Sequence, residues 1–207
     1  DNQEVYKNIF HTGKWAGIFQ FTEKGAQNFC KRAKPNSIID ISAITSIFRP
    51  GPLSAGVDND YVEAKEHPQR IQYLTPEARA ITEETFGFLI FQEQIALLAH
   101  KLGGLTLDEG NMLRKVLTKK GTGKNSVKGK LHDKFITGCV SKGIDKTEAQ
   151  DLWNKFEYFS GYGFNKSHAV SYSIISYQCA WLYNYYPAEW MAAFLDKEPE
   201  SRKEKAI

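Results

Sequence analysis

The stretch that decides the fold is Phe91–Leu117, FQEQIALLAHKLGGLTLDEGNMLRKVL. Its apolar residues recur at intervals of three and four, which predicts a helix from Gln92 to Leu102 with one buried face. The residues of that face are Ile95, Leu98, Ala99 and Leu102. Gly103-Gly104 ends the helix, and Thr106 with Glu109 forms a capping box that opens the next one. Two helices that meet at a glycine turn are therefore predicted.

Further helical signals follow in the second half of the chain. Asp145 and Glu148 form another capping box, and the helix that it opens ends at Gly161. After a turn, a further helix starts near Ser167. Pro187 begins a last short helix, because proline is favoured in the first turn. The predicted fold class is mainly α, without an internal repeat and with a short irregular or β segment at the N-terminus.

The first third of the chain is less regular. Lys7–Phe21 is short, aromatic and broken by glycines, which predicts a strand or irregular structure rather than a long helix. Ser37–Phe48 is rich in isoleucine and serine, and the corner Pro50-Gly51-Pro52 is expected to stop any regular element. Arg49 therefore lies at a rigid corner. Asp58-Asn59-Asp60 follows the corner and is expected to be a surface turn in a polar loop.

The charge of the chain is concentrated in one segment. A chain of 207 residues with 42% hydrophobic residues can bury a core, and its net charge of +3 is too small to mark a generally basic protein. Between Arg114 and Lys134, however, eight Lys or Arg residues accompany one acid, so this segment carries +7 and the remainder about −4. That distribution predicts contact with a polyanion. A solvated lysine loop without a partner is the alternative.

Several common kinds of site have no support in the spacing of residues. Gly121–Ser126 resembles a phosphate-binding P-loop, but Thr118 stands where that motif needs glycine and Asn125 where it needs Ser or Thr. The histidines show no ligand spacing that would predict a zinc site. The cysteines form no C-x-x-C pair, which predicts reduced, packed thiols in the cytoplasm. Ala169–Tyr186 is uncharged but too polar for a membrane span, so a helix buried among protein neighbours is expected.

A second candidate site is the turn Gly161-Tyr162-Gly163-Phe164-Asn165-Lys166-Ser167-His168. Its glycines permit a tight turn, and its last four residues all carry hydrogen-bond donors. It leads into a helix N-terminus, whose free N–H groups favour anions. This pattern predicts phosphate binding. A helix cap without any ligand is the alternative that the residues alone leave open.

Five short motifs occur in order along the chain. They are Phe48-Arg49-Pro50-Gly51-Pro52, Phe91-Gln92-Glu93-Gln94, Leu113-Arg114-Lys115 with Lys119-Lys120, Gly161–His168, and Tyr186-Pro187-Ala188-Glu189 with Met191-Ala192-Ala193. In this order and spacing they resemble the α subunit of bacterial DNA polymerase III, the family C replicative polymerases. The resemblance extends over nearly the whole chain, from Gly17 to Leu195.

The resemblance implies a helical fingers domain that follows the palm of a DNA-directed DNA polymerase and closes over the nascent base pair. It places six residues on the triphosphate side of the active site: Arg114, Lys115, Asn165, Lys166, Ser167 and His168. It implies contacts with the nucleotide or DNA for Arg49, Lys119, Lys120, Lys124 and Lys128. The implied cofactor is Mg²⁺. The implied partners are primer-template DNA, deoxynucleoside triphosphates (dNTPs), the palm and, through regions outside this chain, a sliding clamp, with no membrane.

The chain departs from the family pattern at the first basic motif. The family usually has two arginines where this chain has Arg114-Lys115, and glycine where it has Thr118. Lysine keeps the charge but loses the bidentate geometry of arginine. The loop that follows is longer and richer in Gly and Lys, so it is expected to reach the template backbone.

The resemblance also sets domain boundaries. Residues 1–36 would begin the fingers after the palm, residues 37–195 would form the helical body, and residues 196–207 a charged tail. The metal-binding aspartates of the family would lie upstream of Asp1, so no catalytic residue is expected here and the chain alone is expected to be inactive. Both ends are expected to be cuts within a longer polypeptide of bacterial or phage origin. The alternative is a stand-alone DNA-binding or replication accessory module with the same fold, which the sequence upstream of Asp1 would distinguish.

Overall fold

Helices make up almost all of the regular structure. The computed structural model describes residues 2–117, 126–160 and 163–200, and within those residues it contains twelve α-helices. In chain order they are α1 (Gln3–Val5), α2 (Lys24–Ala33), α3 (Ile38–Ile47), α4 (Pro50–Ser54), α5 (Val57–Glu66), α6 (Pro76–Thr82), α7 (Gln92–Lys101), α8 (Leu107–Leu117), α9 (Val127–Ser141), α10 (Lys146–Ser160), α11 (Lys166–Tyr185) and α12 (Pro187–Lys197). A π-helical turn, Tyr6–Phe10, extends α1. The prediction of a mainly α fold is confirmed.

The chain divides into two compact units. The first comprises Asp1–Val62 and Ser167–Ile207, and the second comprises Glu63–Lys166. The boundaries predicted at residues 36 and 195 stay a prediction.

Aromatic side chains build the core of the first unit. Tyr6 and Phe10 are fully buried at helical spacing, and the Phe10 ring meets that of Phe21 edge to face with 5.7 Å between centroids. Val5 and Ile9 are buried as well, and a helix places these four residues on one face whereas a strand would divide them between two. The prediction of a strand or irregular segment is therefore wrong for Lys7–Phe10, which is helical. The irregular alternative is right for His11–Phe21, a range in which no strand forms.

The proline corner ends one helix and begins another. α3 ends at Ile47, and Pro50 occupies the first turn of α4, where the N–H that proline lacks would have no helical acceptor. The expectation that the corner stops any regular element is therefore correct for α3 and wrong for the residues after it. Arg49 is the extended residue before α4, with φ −144° and ψ 151°.

Asp58-Asn59-Asp60 also differs from its prediction. These residues form the first turn of α5 rather than a polar loop. The Arg32 guanidinium donates to Asp58 Oδ2 and to Asn59 Oδ1, each at 2.6 Å. Acidic side chains are favoured in the first turn of a helix by its macrodipole. Asp58 and Asn59 therefore link α5 to α2.

The long helix α11 buries one narrow stripe. The buried residues are small and lie on one face because of their spacing; they are Ala169, Ser173, Ser176 and Ala180. Large side chains on its other faces are exposed: Tyr172, Ile174, Ile175, Trp181, Leu182 and Tyr185. The expectation of a helix surrounded by protein is thus met on one face only. Within the residues described, no helix is both long and apolar enough to cross a membrane.

The cysteines are free thiols. Cys30 is buried in the first unit and Cys139 in the second, whereas Cys179 is partly exposed. Burial raises the pKa of the Cys139 thiol to about 11, so this thiol stays neutral at physiological pH. It behaves as a small apolar side chain of the core.

The second unit is built around α7 and α8. The predicted capping box of α8 is present: the Thr106 N–H donates to Glu109 Oε2 at 2.7 Å, and the Glu109 N–H donates to Thr106 Oγ1 at 3.1 Å. α9 and α10 pack beside this helix pair. The buried core that they share includes Leu98, Leu102, Leu113, Leu131, Phe135, Trp153 and Phe156.

Helices α7 and α8 approach each other closely at Gly110. A Cβ atom at this position would lie 2.9 Å from the carbonyl oxygen of Ala96 and 3.3 Å from its Cα. Arg114 follows Gly110 by about one turn, and Glu93 precedes Ala96 by about one turn. Because residues one turn apart share a face, this crossing also brings Arg114 toward the start of α7.

We expect Gly110→Ala to destabilise the protein by about 1–3 kcal/mol, because the added methyl group forces α7 and α8 apart. Urea unfolding measures the change. Asn111→Ala, at an exposed position of the same helix, is the matched control and should stay within about 0.5 kcal/mol of the parent. Alanine is favoured over glycine in a helix by about 1 kcal/mol. An unchanged or raised stability for Gly110→Ala would therefore contradict the close approach.

Candidate phosphate-binding site

Two motifs that lie far apart in the sequence are joined by a short parallel bridge. The Phe164 N–H donates to the Ile90 carbonyl oxygen at 3.0 Å, and the Gln92 N–H donates to the Phe164 carbonyl oxygen at 2.9 Å. Gln92 Nε2 adds a 2.8 Å hydrogen bond to the Gly163 carbonyl oxygen, 71 residues away in sequence. A Cβ atom on Gly163 would lie 2.9 Å from Gln92 Cγ, so glycine is needed for this contact. The predicted phosphate-binding turn is therefore fixed to the start of α7.

The start of α7 is itself held by Gln94, which is 2% exposed. Gln94 Oε1 accepts from the N–H groups of Ile90 and Phe91 at 2.9 and 3.0 Å. Its Nε2 donates to Thr85 Oγ1 at 2.8 Å and to the Ile81 carbonyl oxygen at 3.3 Å. A buried amide whose oxygen and nitrogen are both hydrogen-bonded restricts the segments that it joins. Gln94 thus fixes the backbone that carries the bridge.

One carboxylate, that of Glu93, binds three of the residues for which phosphate contacts are predicted. Glu93 Oε1 accepts from Asn165 Nδ2 at 2.9 Å, and Oε2 accepts from the main-chain N–H of Lys166 at 3.0 Å. Arg114 Nη1 lies 3.9 Å from Glu93 Oε1, within ion-pair distance. The Lys166 N–H belongs to the first turn of α11, where N–H groups have no acceptor within the helix. Glu93 therefore supplies the negative charge that such a helix start favours.

The side chain of Lys166 is paired with a second carboxylate. Its Nζ lies 2.6 and 2.7 Å from the two oxygens of Glu84 and 5.7 Å from the centre of the Phe91 ring. The side chains of Lys166 and Arg114 are 33% and 26% exposed, so solutes can reach both cations. Ion pairs at such exposure contribute only about 0–1 kcal/mol. The pairing of these two cations with Glu84 and Glu93 is therefore weak.

The other basic residues predicted for the second unit occupy different places. Lys115 is exposed on α8. Lys128 Nζ lies 2.7 Å from Glu157 Oε1. Burial raises the pKa of Glu157, but hydrogen bonds from Lys128 and Trp153 outweigh it, so the pKa is lowered and the carboxylate stays charged. Three further predicted residues lie outside the described residues: Lys119, Lys120 and Lys124.

Three predicted site residues belong to the first unit. Arg49 is exposed and lines a cleft of about 450 Å³ together with Phe48. His168 packs its ring on that of Tyr172, with 4.2 Å between centroids. Ser167 is exposed at the start of the same helix. The structure thus gathers part of the predicted set around Glu93, and it places Arg49, Ser167 and His168 in the other unit.

Glu93 lies in the motif Phe91-Gln92-Glu93-Gln94, but nothing in the sequence predicts that it or Glu84 meets these cations. Glu93 stands 72 residues before Asn165, and Glu84 stands 82 residues before Lys166. No spacing rule links residues over such distances, because only the tertiary fold brings them together. The local hint is that Glu93 is an acid in the first turn of a helix, where it is favoured by the macrodipole in any case.

Comparison with known proteins gives a family and several relatives of one name. Residues 1–143 match the model of the bacterial DNA polymerase III alpha subunit finger domain. A DNA polymerase III subunit alpha from Aquifex aeolicus (strain VF5) is 37% identical over 203 residues, 98% of this chain. Proteins of the same name from Campylobacter jejuni and Treponema pallidum are 35% identical over 100% of the chain and 39% identical over 97% of it. The chain spans 17% of the length of each of these relatives.

We expect Gln94→Ala to destabilise the protein by about 2–4 kcal/mol, because it leaves the buried N–H groups of Ile90 and Phe91 without an acceptor and opens a cavity. Urea unfolding measures the loss. Gln72→Ala, at an exposed position, is the control and should change stability by less than about 0.5 kcal/mol. Equal stabilities of the two variants would show that Gln94 does not hold the start of α7.

Proposed function

The chain belongs to the bacterial DNA polymerase III α subunit finger-domain family, and we propose that it forms the fingers of a DNA-directed DNA polymerase that replicates DNA. The resemblance noted in the sequence is confirmed. Because the chain spans 17% of the length of its relatives, we assign the polymerase activity to the longer protein. In that protein, this part would hold the triphosphate of the incoming dNTP and the backbone of the primer-template.

The observation that carries this proposal is the group of donors around Glu93. Glu93 lies 3.9 Å from the Arg114 guanidinium and binds the main chain from which the Lys166 ammonium extends, so it links the two cations that we assign to the triphosphate. The Lys166 ammonium extends from the same helix start. During phosphoryl transfer, negative charge develops on the leaving pyrophosphate, and fixed cations and N–H donors stabilise it. The site has the charge and the geometry for that task.

The remaining predicted residues complete the proposal. Lys115, Ser167 and His168 belong to the phosphate-binding set. Contacts with the nucleotide or with DNA are assigned to Arg49, Lys119, Lys120, Lys124 and Lys128. The local charge of +7 between residues 114 and 134 supports these assignments, because Lys and Arg contacts with phosphates supply most of the affinity of non-specific DNA binding.

The magnesium ions of the polymerase are assigned to the palm. In the part of the chain that the structure describes, no three His, Cys, Asp or Glu side chains form a ligand group. Asp58 is engaged by Arg32 at 2.6 Å. We propose that the metal ligands come from the remainder of the polymerase chain. That remainder, primer-template DNA and dNTPs are the proposed partners, with a sliding clamp bound through other regions and with the cytoplasm as the location.

In the full polymerase, we expect Lys166→Ala and Arg114→Ala each to raise the dNTP concentration for half-maximal incorporation about 10-fold or more, because each removes a charge-assisted contact worth about 1.5–3 kcal/mol. Affinity for primed DNA should change little. Single-turnover incorporation measures the nucleotide dependence, and DNA titration measures the affinity. Lys155→Ala, at an exposed position of α10, is the control. Unchanged nucleotide dependence in both site variants would show that the triphosphate site is wrongly assigned.

We expect this chain alone to be inactive in primer extension on a primed template, because we assign the magnesium ligands to the palm. A polypeptide that also includes the palm should extend the primer. Inactivity of both proteins would favour the accessory-module alternative. Extension by this chain alone would contradict the assignment of the metal ligands to the palm.

A further inference from the structure

Glu93 stands at the centre of the proposed triphosphate site, yet it has the wrong charge for binding phosphate. Its oxygens accept from Asn165 Nδ2 at 2.9 Å and from the Lys166 N–H at 3.0 Å, and Arg114 Nη1 lies 3.9 Å away. A carboxylate beside a triphosphate weakens binding through repulsion between like charges. A residue of this kind in the site therefore needs a compensating role.

The contacts of Glu93 differ in kind from those of Glu84. Glu84 binds the ammonium of Lys166, which sits at the end of a flexible side chain. Glu93 binds the main chain of Lys166 and the side-chain amide of Asn165. The main chain at this point sets the position from which the lysine side chain extends. Loss of Glu84 frees a side chain, whereas loss of Glu93 removes a hydrogen bond to the backbone at Lys166, beyond the bridge that holds Phe164.

Glu93 itself is held firmly on both sides. Gln92 is bridged to Phe164, and Gln94 is buried with four hydrogen bonds. All three residues belong to the first turn of α7, so the position of Glu93 is fixed by that helix. Through its hydrogen bonds, the Glu93 carboxylate in turn fixes Asn165 and Lys166 relative to α7. The close crossing of α7 and α8 brings Arg114 to the same carboxylate.

We propose that Glu93 is a positioning residue of the triphosphate site: its carboxylate holds the Asn165 amide, the Lys166 main chain and the Arg114 guanidinium in the arrangement that receives the triphosphate. This inference rests on the proposed function. When the nucleotide binds, its phosphates take over Arg114 and the Lys166 ammonium, and Glu93 keeps its hydrogen bonds to the turn. The protein then needs little reordering at the moment of binding.

Two substitutions of Glu93 separate geometry from charge. Glu93→Ala removes both hydrogen bonds and the charge. Glu93→Gln removes the charge but can keep both hydrogen bonds, because its oxygen accepts from the Lys166 N–H and its amide nitrogen donates to Asn165 once the Asn165 amide turns over. A positioning role is therefore lost with alanine and rescued by glutamine.

In the full polymerase, we expect Glu93→Ala to raise the Kd for dNTP about 10-fold, equivalent to about 1.4 kcal/mol. Glu93→Gln should stay within about twofold of the parent, since the hydrogen-bonding geometry survives. Single-turnover incorporation gives the Kd and the maximal rate separately, and DNA affinity and Tm are measured on the same proteins. Glu83→Ala is the charge-matched control: Glu83 pairs with Arg79 at 3.2 Å and is 54% exposed. Its Kd for dNTP should equal that of the parent.

A double-mutant cycle tests whether Glu93 acts through the turn. We expect the double variant Glu93→Ala/Asn165→Ala to lose no more dNTP affinity than the single variant with the larger loss, because both changes break the same contact. Fully additive losses would show that the two residues act independently and would contradict the proposal.

Three results would overturn the positioning role. They are an unchanged dNTP Kd in Glu93→Ala, an equal loss in Glu93→Gln, and a parallel loss of primed-DNA affinity that marks general damage to the fold. Failure of the underlying function gives a different pattern, in which Lys166→Ala and Arg114→Ala also leave the nucleotide dependence unchanged.

Discussion

The parallel bridge between Phe91 and Phe164 is the contact on which the candidate site depends. It closes a loop of 71 residues, the separation of Gln92 and Gly163, and closing such a loop costs roughly 4 kcal/mol of chain entropy. Its two main-chain hydrogen bonds contribute about 1 kcal/mol each, which does not offset that cost alone. Burial of the Phe91 side chain, 1% exposed, adds about 2 kcal/mol. The bridge is therefore stable only together with the burial of apolar side chains such as Phe91, and the rigidity of the site depends on the same burial.

The electrostatics of the site follow from this arrangement. Without a nucleotide, the cations would repel one another, and Glu84 and Glu93 supply the compensating charges. The two carboxylates are 32% and 35% exposed, so their ion pairs are weak and exchange readily for phosphates. The hydrogen bonds from Glu93 to the turn do not compete with the nucleotide for the Lys166 ammonium. On our proposal, one acid neutralises the site before the nucleotide binds and still fixes its geometry afterwards.

Much of the fold could be predicted because its signals are local. The capping residues and glycines predicted where α7, α8 and α10 lie in the chain. The start predicted for α11, near Ser167, is one residue from the observed start at Lys166. The helix at Lys7–Phe10 could not be predicted, because the segment is short and the sequence alone does not show which of its side chains are buried. The cations of the site could be named from the resemblance to a polymerase family. Their carboxylate partners could not, because Glu84 and Glu93 meet them only through the tertiary fold.

The central claim is that Arg114 and Lys166 exchange these carboxylates for the triphosphate while Glu93 keeps the turn in place. The most direct measurement is a structure of the full polymerase with primed DNA, Mg²⁺ and an incoming dNTP on a primer that cannot be extended. The account predicts Arg114 and the Lys166 ammonium about 3 Å from triphosphate oxygens, with Glu93 still bonded to Asn165 and to the Lys166 N–H. A triphosphate bound elsewhere, with Arg114 still beside Glu93 and Lys166 still on Glu84, would contradict it.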